Sequence, residues 1–228
     1  MVSQGDIFRP AAIQGRHVAL RPAWPEDFEL IFRWWSDRDE APLWTSQYRQ
    51  VTTYPQFLPM LEAWLRDGVT FLLVEQATGA RFGFARAYNL NIADGWAWLQ
   101  AYVEPPFRAR PQLGEWAALF SRYLFEQFPL RKLCGEIFAF NDASRRLNEK
   151  LGFRYEGRLR EHSWYRDRYW DHLFYSLRRE DWAQAMRRYG FIAAVEDDLA
   201  AGTGIAAEQK EHGVTAGSRQ GARDGRER

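Results

Sequence analysis

Apolar positions along this chain change their period several times, and each change marks an element. Residues 17–22, His-Val-Ala-Leu-Arg-Pro, alternate and stop at a proline, which predicts a first strand. Pro25, Glu26 and Asp27 then open an apolar-periodic stretch from Phe28 to Trp35. Proline and acids suit a first helical turn, where unpaired amides favour negative charge. From Ser36 to Tyr54 the pattern has no clean period and predicts a loop with short helices, whereas Phe57, Leu58, Leu61, Trp64 and Leu65 share one face of a second helix.

The period then shortens. Val69 to Glu75 predicts a strand, Thr78-Gly79 a turn, Arg81 to Tyr88 its antiparallel partner, and Gly95 to Val103 a further strand ended by Pro105 and Pro106. A helix over Glu115–Phe128, a strand over Lys132–Phe140 and a helix over Asp142–Leu151 follow, the last closed by Gly152 as a left-handed cap. Phe153–Glu156 and Trp170–Leu177 complete the sheet. This order predicts an α+β fold on one mixed sheet. Beyond about residue 194 the chain is Gly, Ala, Arg, Glu and Gln without period. The expectation there is a tail disordered after about 200, with room for a short helix over Arg179–Leu199.

Composition narrows the classes. With 46% hydrophobic residues in 228, a packed core needs no covalent staple, and one cysteine, Cys134, excludes a disulfide framework. Cys134 falls inside a predicted buried strand and reads as core. A net charge of +1 argues against a general nucleic-acid binder. Met1–Arg9 lacks the apolar run of a signal peptide, and no segment approaches the roughly 20 apolar residues of a membrane span. The expectation is a soluble cytoplasmic protein with no membrane partner. Eleven Trp and sixteen Phe fit a bulky core, a subunit interface such as a homodimer's, or an aromatic substrate pocket. Candidates for such a pocket are Trp34, Trp35, Trp44, Trp96, Trp98 and Tyr169.

The segment Asn141-Asp-Ala-Ser-Arg-Arg-Leu-Asn-Glu-Lys-Leu-Gly-Phe153, then Arg154-Tyr-Glu-Gly157, resembles the late motif of the GNAT acetyltransferase superfamily. Leu159-Arg-Glu-His162, Tyr169-Trp-Asp171 and Leu173-Phe-Tyr-Ser-Leu177 resemble its RimJ/RimL-type branch of N-terminal acetyltransferases, as does the opening His17–Asp27. The resemblance covers residues 15–182, leaving an arm over 1–14 and an extension over 183–228. It implies a single domain in which two neighbouring parallel strands splay apart, here Gly95–Val103 and Lys132–Phe140, with acetyl-CoA as acyl donor between them. It also implies an oxyanion-stabilising amide near Tyr102 and Val103.

For the diphosphate of the donor, the resemblance points to Arg108-Ala-Arg-Pro-Gln-Leu-Gly114-Glu115 at a helix start. Arg108, Arg110, Gln112, Leu113, Gly114 and Glu115 are the candidates. Gln112 stands where glycine is usual, and Pro111 removes an amide donor. Acyl transfer needs a neutral amine, a stabilised oxyanion and a proton for the leaving thiolate. Where many GNAT enzymes carry a tyrosine acid, this chain has Asn148, and the resemblance makes Ser144 the proton donor and Asn141 the partner of the pantetheine amides. The plainer alternative for both is helix capping. Glu161 and His162 are the candidate bases, with Glu104 near the thioester strand a third; on a regular strand, at most one of Glu161 and His162 faces a cavity. Asp171, His162 and His172 lack the spacing of a metal site, so no metal is expected.

The expected activity is therefore transfer of an acetyl group to a primary amine of a small molecule or to a protein N-terminus. The altered phosphate loop keeps two alternatives open: another acyl thioester donor, or a non-catalytic binding or regulatory module of the same fold.

Overall fold

The computed structural model describes residues 12–46, 52–108, 110 and 113–188. Among these, eight strands form one sheet in the order β1-β2-β3-β4-β5-β6-β8-β7: β1 (Ile13–Gln14), β2 (Val18–Arg21), β3 (Val69–Glu75), β4 (Arg81–Asn91), β5 (Trp96–Val103), β6 (Lys132–Phe138), β7 (Arg154–Tyr165) and β8 (Arg168–Arg178). Neighbours are antiparallel except β5 and β6, which run parallel. The predicted α+β layout, with a mixed and mostly antiparallel sheet, is the observed one.

Helices cover both faces. On one, α1 (Phe28–Ser36) and α2 (Tyr54–Arg66) bury Ile31, Trp34, Trp35, Phe57 and Leu61 against Phe84 of β4 and Tyr102 of β5. On the other, α3 (Leu113–Gln127) supplies Leu119, Phe120 and Leu124 to a larger core that includes Leu73, Leu133 and Ile137. The helix α5 (Arg179–Arg188) adds Ala185 and Met186 to that core, so the packed unit runs beyond residue 182. The remainder of the extension lies outside the described residues.

Three elements differ from the sequence expectation, the first being β1, which falls within the expected arm and pairs with β2 ahead of the predicted first strand. The second helix begins at Tyr54, because Thr53 caps it and exchanges hydrogen bonds with Gln56 three residues on. The strand expected to stop at Glu156 continues to Tyr165 and forms a long hairpin with β8. Its edge position exposes both faces over most of its length, which removes the alternation a half-buried strand would show. The hairpin closes at Arg166-Asp167, both at positive φ (48° and 61°), as a two-residue turn matching strand twist requires.

Gly152 does close α4 (Asp142–Lys150) in the left-handed region, at φ +90°, and a Cβ there would lie 2.5 Å from Ala185 Cβ. Gly83 serves the sheet differently: a Cβ on it would meet Tyr102 O at 2.1 Å, so only glycine lets β4 pass β5 this closely.

Candidate active site

The parallel pair β5 and β6 holds register only from Trp96↔Lys132 to Leu99↔Gly135. Beyond that point each strand keeps its outer partner. Gln100 to Val103 continue to pair with β4, and Glu136 to Phe138 with β8. The two inner edges therefore separate and leave backbone groups without ladder partners. Glu104 N donates to Phe82 O at 2.8 Å, so alternation directs the Ala101 and Val103 amides away from β4 and into the gap. A cavity of 640 Å³ occupies the splay and reaches α3 and α4.

The start of α4 stands over this gap. Asn141 is its N-cap, accepting from Ser144 N at 3.0 Å, while its Nδ2 donates to Leu43 O at 2.9 Å. Ser144 follows in the first turn and lines the cavity with Asn141. Asn148 Nδ2 donates to Ser144 O at 2.9 Å and approaches Ser144 Oγ at 3.5 Å. Holding the oxygen in this way leaves the hydroxyl proton free to turn toward the cavity.

Tyr102, Val103 and Arg108 line the opposite wall. Burial raises the Tyr102 phenol to about 12, so it stays protonated. Arg108 Nε donates to Val103 O at 2.7 Å, and its guanidinium pairs with Glu40. Arg110 pairs with Glu75 at 2.5 Å and lies over the Phe107 ring. Gly114 is buried at the start of α3, and buried Glu115 accepts from His17 N at 3.0 Å, tying α3 to the segment before β2. Gln112 and the Leu113 side chain lie outside the described residues.

The aromatic candidates do not gather at the cavity. Trp34 and Trp35 are core residues, and Trp34 Nε1 donates to Glu104 at 2.8 Å. Trp98 packs between Trp96 and Phe174, while Tyr169, 61% exposed, packs on Trp164 at the hairpin end. Trp44 does line the cavity. Glu161 and His162 lie on the exposed part of β7, where the register slips between Leu159 and Ser163 and Glu161 takes φ +49°. Glu161 N donates to Asp171 at 3.0 Å. This irregularity cancels the simple alternation expected of the two residues. Cys134 is buried, and burial pushes its thiol up.

Two titratable residues that sequence reasoning did not place in the site do line it. Glu136 on β6 and His172 on β8 face each other with Nε2 3.5 Å from Oε2. The His172 side chain is 12% exposed; burial, then the charge of His162, lowers its pKa from the ordinary value. Burial raises the Glu136 carboxyl, and the charge of His162 opposes that rise. The available signal was a lone acid inside the apolar run Lys-Leu-Cys-Gly-Glu-Ile-Phe. His162 stacks outside His172, its ring 5.7 Å away.

The gap suits an extended, amide-bearing chain. Its walls carry free strand amides and the buried Trp116 Nε1, which has no partner among the described residues. Comparison with known proteins agrees. A family model described as acetyltransferase (GNAT) domain matches residues 17–154. The SPbeta prophage-derived uncharacterized N-acetyltransferase YokL of Bacillus subtilis is 25% identical over 172 residues, covering 73% of this chain and 93% of the relative. A GCN5-related N-acetyltransferase from Brucella melitensis superposes with a TM-score of 0.65 at 26% identity, covering 82% and 89% of the two chains. Mycobacterium smegmatis RimJ, solved with CoA-disulfide, shares the fold with a TM-score of 0.62 at 21% identity over 76% and 89%. With a family model matching more than half its length and a sheet splayed at β5 and β6, this chain belongs to the GNAT acetyltransferase family.

Proposed function

We propose that the protein is an acetyl-CoA-dependent N-acetyltransferase acting on a primary amine. One observation carries the reading: β5 and β6 part after Leu99 and Gly135 around a cavity whose edges offer unpaired amides. The residues fit a pantetheine arm, with Ala101 and Val103 on one side and Asn141 on the other. Bound acetyl-CoA would supply the activated acyl group: the C–S bond breaks as the N–C bond forms, the amine loses a proton and the thiolate gains one.

The chain's own groups meet those requirements. The Val103 amide, which faces the gap, would stabilise a developing oxyanion. Ser144 Oγ–H donates the proton for the thiolate. We assign the base to His172, oriented by Glu136, rather than to Glu161 or His162, because His172 is the imidazole on the cavity wall. A lowered pKa keeps it neutral at pH 7, ready to accept a proton. His162, stacked outside it, would pass that proton to solvent. Near α3, Arg108 and Arg110 would reach a diphosphate by exchanging Glu40 and Glu75 for phosphate oxygens. Mycobacterium smegmatis RimJ, which shares the fold, was solved with CoA-disulfide, in keeping with a coenzyme A donor.

Calorimetric titration of the full chain with acetyl-CoA, followed by thiol release across an amine panel, tests the proposal. Micromolar binding with amine-dependent release is expected. Absence of acetyl-CoA binding by folded protein would overturn it. The pairing of both loop arginines favours a second reading, a binding module without turnover, and binding with no release for any amine would establish that one.

A further inference from the structure

The cavity holds a second feature that acyl transfer does not use. Arg86 of β4 stands opposite Gln100 of β5 and lines the cavity with Trp44, Trp64 and Tyr88. Its guanidinium lies 4.5 Å from the Trp64 ring centre and 5.0 Å from that of Tyr88. Among the described residues no carboxylate pairs with it. Its contact with Gln100 Oε1 is long, at 3.5 Å, and its buried Nε has no partner among the described residues. Burial lowers its pKa to about 10, so it remains a cation at pH 7. The other cavity arginine, Arg108, is paired with Glu40.

A part-buried cation with no carboxylate partner among the described residues is costly, and an anionic ligand would offset that cost. A second buried donor without a partner among the described residues, Trp44 Nε1, lines the same cavity. Gln100, whose Nε2 donates to Trp44 O at 2.8 Å, holds the two sides together. Rings against the face of a guanidinium leave its edge, whose parallel N–H bonds match a planar carboxylate.

Register relates this group to the reacting centre. Trp98 pairs with Cys134, so Gln100 and Glu136, each two residues on, lie level on the same face across the splay. Arg86, Gln100 and Glu136 thus occupy successive strands at one level. Arg86 and Glu136 both act electrostatically on the Tyr88 phenol. One end of this row is cationic, and the other carries the carboxylate–imidazole pair.

We infer that the acceptor is a small amino acid or similar amino-carboxylate, its carboxylate held by Arg86 and its amine presented to the Glu136–His172 pair. This rests on the acetyltransferase reading and narrows it to acceptors that carry both charges. An acceptor bearing only amines would bring positive charge to an uncompensated guanidinium, which disfavours it.

The test uses the full chain, acetyl-CoA and matched acceptors: glycine, β-alanine, 4-aminobutyrate, glutamate and phenylalanine, each beside its carboxamide, with spermidine included. Carboxylates should exceed their carboxamides in kcat/KM by about 10- to 100-fold, the size of a charge-assisted, bidentate contact. Arg86→Gln should remove that preference by raising KM for the acid alone, with acetyl-CoA affinity unchanged. Arg86→Lys, which keeps the charge and loses the fork, should fall between; circular dichroism confirms that both variants fold. Equal or better turnover of carboxamides or spermidine overturns the inference, as does a carboxylate preference untouched in both variants. Acetyl-CoA binding with no turnover of any acid also overturns it and leaves the donor site standing. Failure to bind acetyl-CoA instead removes the acetyltransferase reading beneath it.

Discussion

His172 Nε2 on β8 lies 3.5 Å from Glu136 Oε2 on β6, and both side chains line the gap where the sheet divides. Neighbouring antiparallel strands bring them together: Phe138 is the register partner of His172, and Glu136 precedes Phe138 by two residues on the same face. The imidazole is further held by stacking on Phe138, ring centres 4.9 Å apart. An imidazole that burial keeps neutral, with a carboxylate beside it, is a base already in position.

Removing that base should slow the chemistry and spare donor binding. His172→Ala is expected to lower kcat by about 10²- to 10³-fold, within the range for a positioned general base. Acetyl-CoA affinity measured by calorimetry should stay within twofold. Wild-type kcat/KM should rise with pH through a value below the ordinary 6.5 of histidine, because burial lowers the His172 pKa, and the variant should lack that limb. A retained limb would move the base elsewhere, with His162 the next residue to replace.

Ser144 and Asn141 should separate by parameter. Ser144→Ala is expected to reduce turnover more than donor affinity, as loss of a proton donor would. Asn141→Ala should raise the apparent constant for acetyl-CoA and also destabilise the fold by about 1 kcal/mol through loss of the α4 cap. Unchanged rate and affinity in the serine variant would remove it from the mechanism.

Asp27 should matter to stability and not to chemistry. It is fully buried; burial pushes its pKa up, but hydrogen bonds from Arg21 at 2.7 Å, Arg81 at 2.7 Å and Trp24 N at 2.8 Å outweigh that and hold it below the ordinary 3.8. Asp27→Ala strands two guanidinium groups and should cost about 3–5 kcal/mol in urea unfolding. Because the folded carboxyl titrates lower than the unfolded one, its contribution is full above 3.8 and disappears as pH falls through the folded value. Stability of wild type and variant should therefore converge in acid.

Gly152→Ala offers a local test of the turn after α4. A side chain at φ +90°, with its Cβ 2.5 Å from that of Ala185, meets backbone strain and a clash together. A loss of about 1–3 kcal/mol is expected by thermal or urea unfolding. A neutral effect would mean that α5 can shift without cost.

Patterning alone carried much of this. Strands with one buried face and helices with one buried stripe announce themselves by period, so β2 to β6 and most helices were legible, as was Gly152 as a cap. The Asn141–Phe153 segment also pointed to the family, since capping and turn residues are local requirements. The site was less legible because it forms between distant segments. Glu136, His172 and Arg86 look like isolated polar residues in strands until register sets them around one gap. Conversely, the tryptophans Trp34 and Trp35 and the acid Glu115 drew attention as candidates for a pocket or a phosphate loop, and packing engages them elsewhere, whereas Asp27 stands at the helix start as expected and pairs with Arg21 as well. Periodicity records which face of an element is buried. What lies across from that face depends on strand order and on where a ladder stops pairing, and those are set by the assembled sheet.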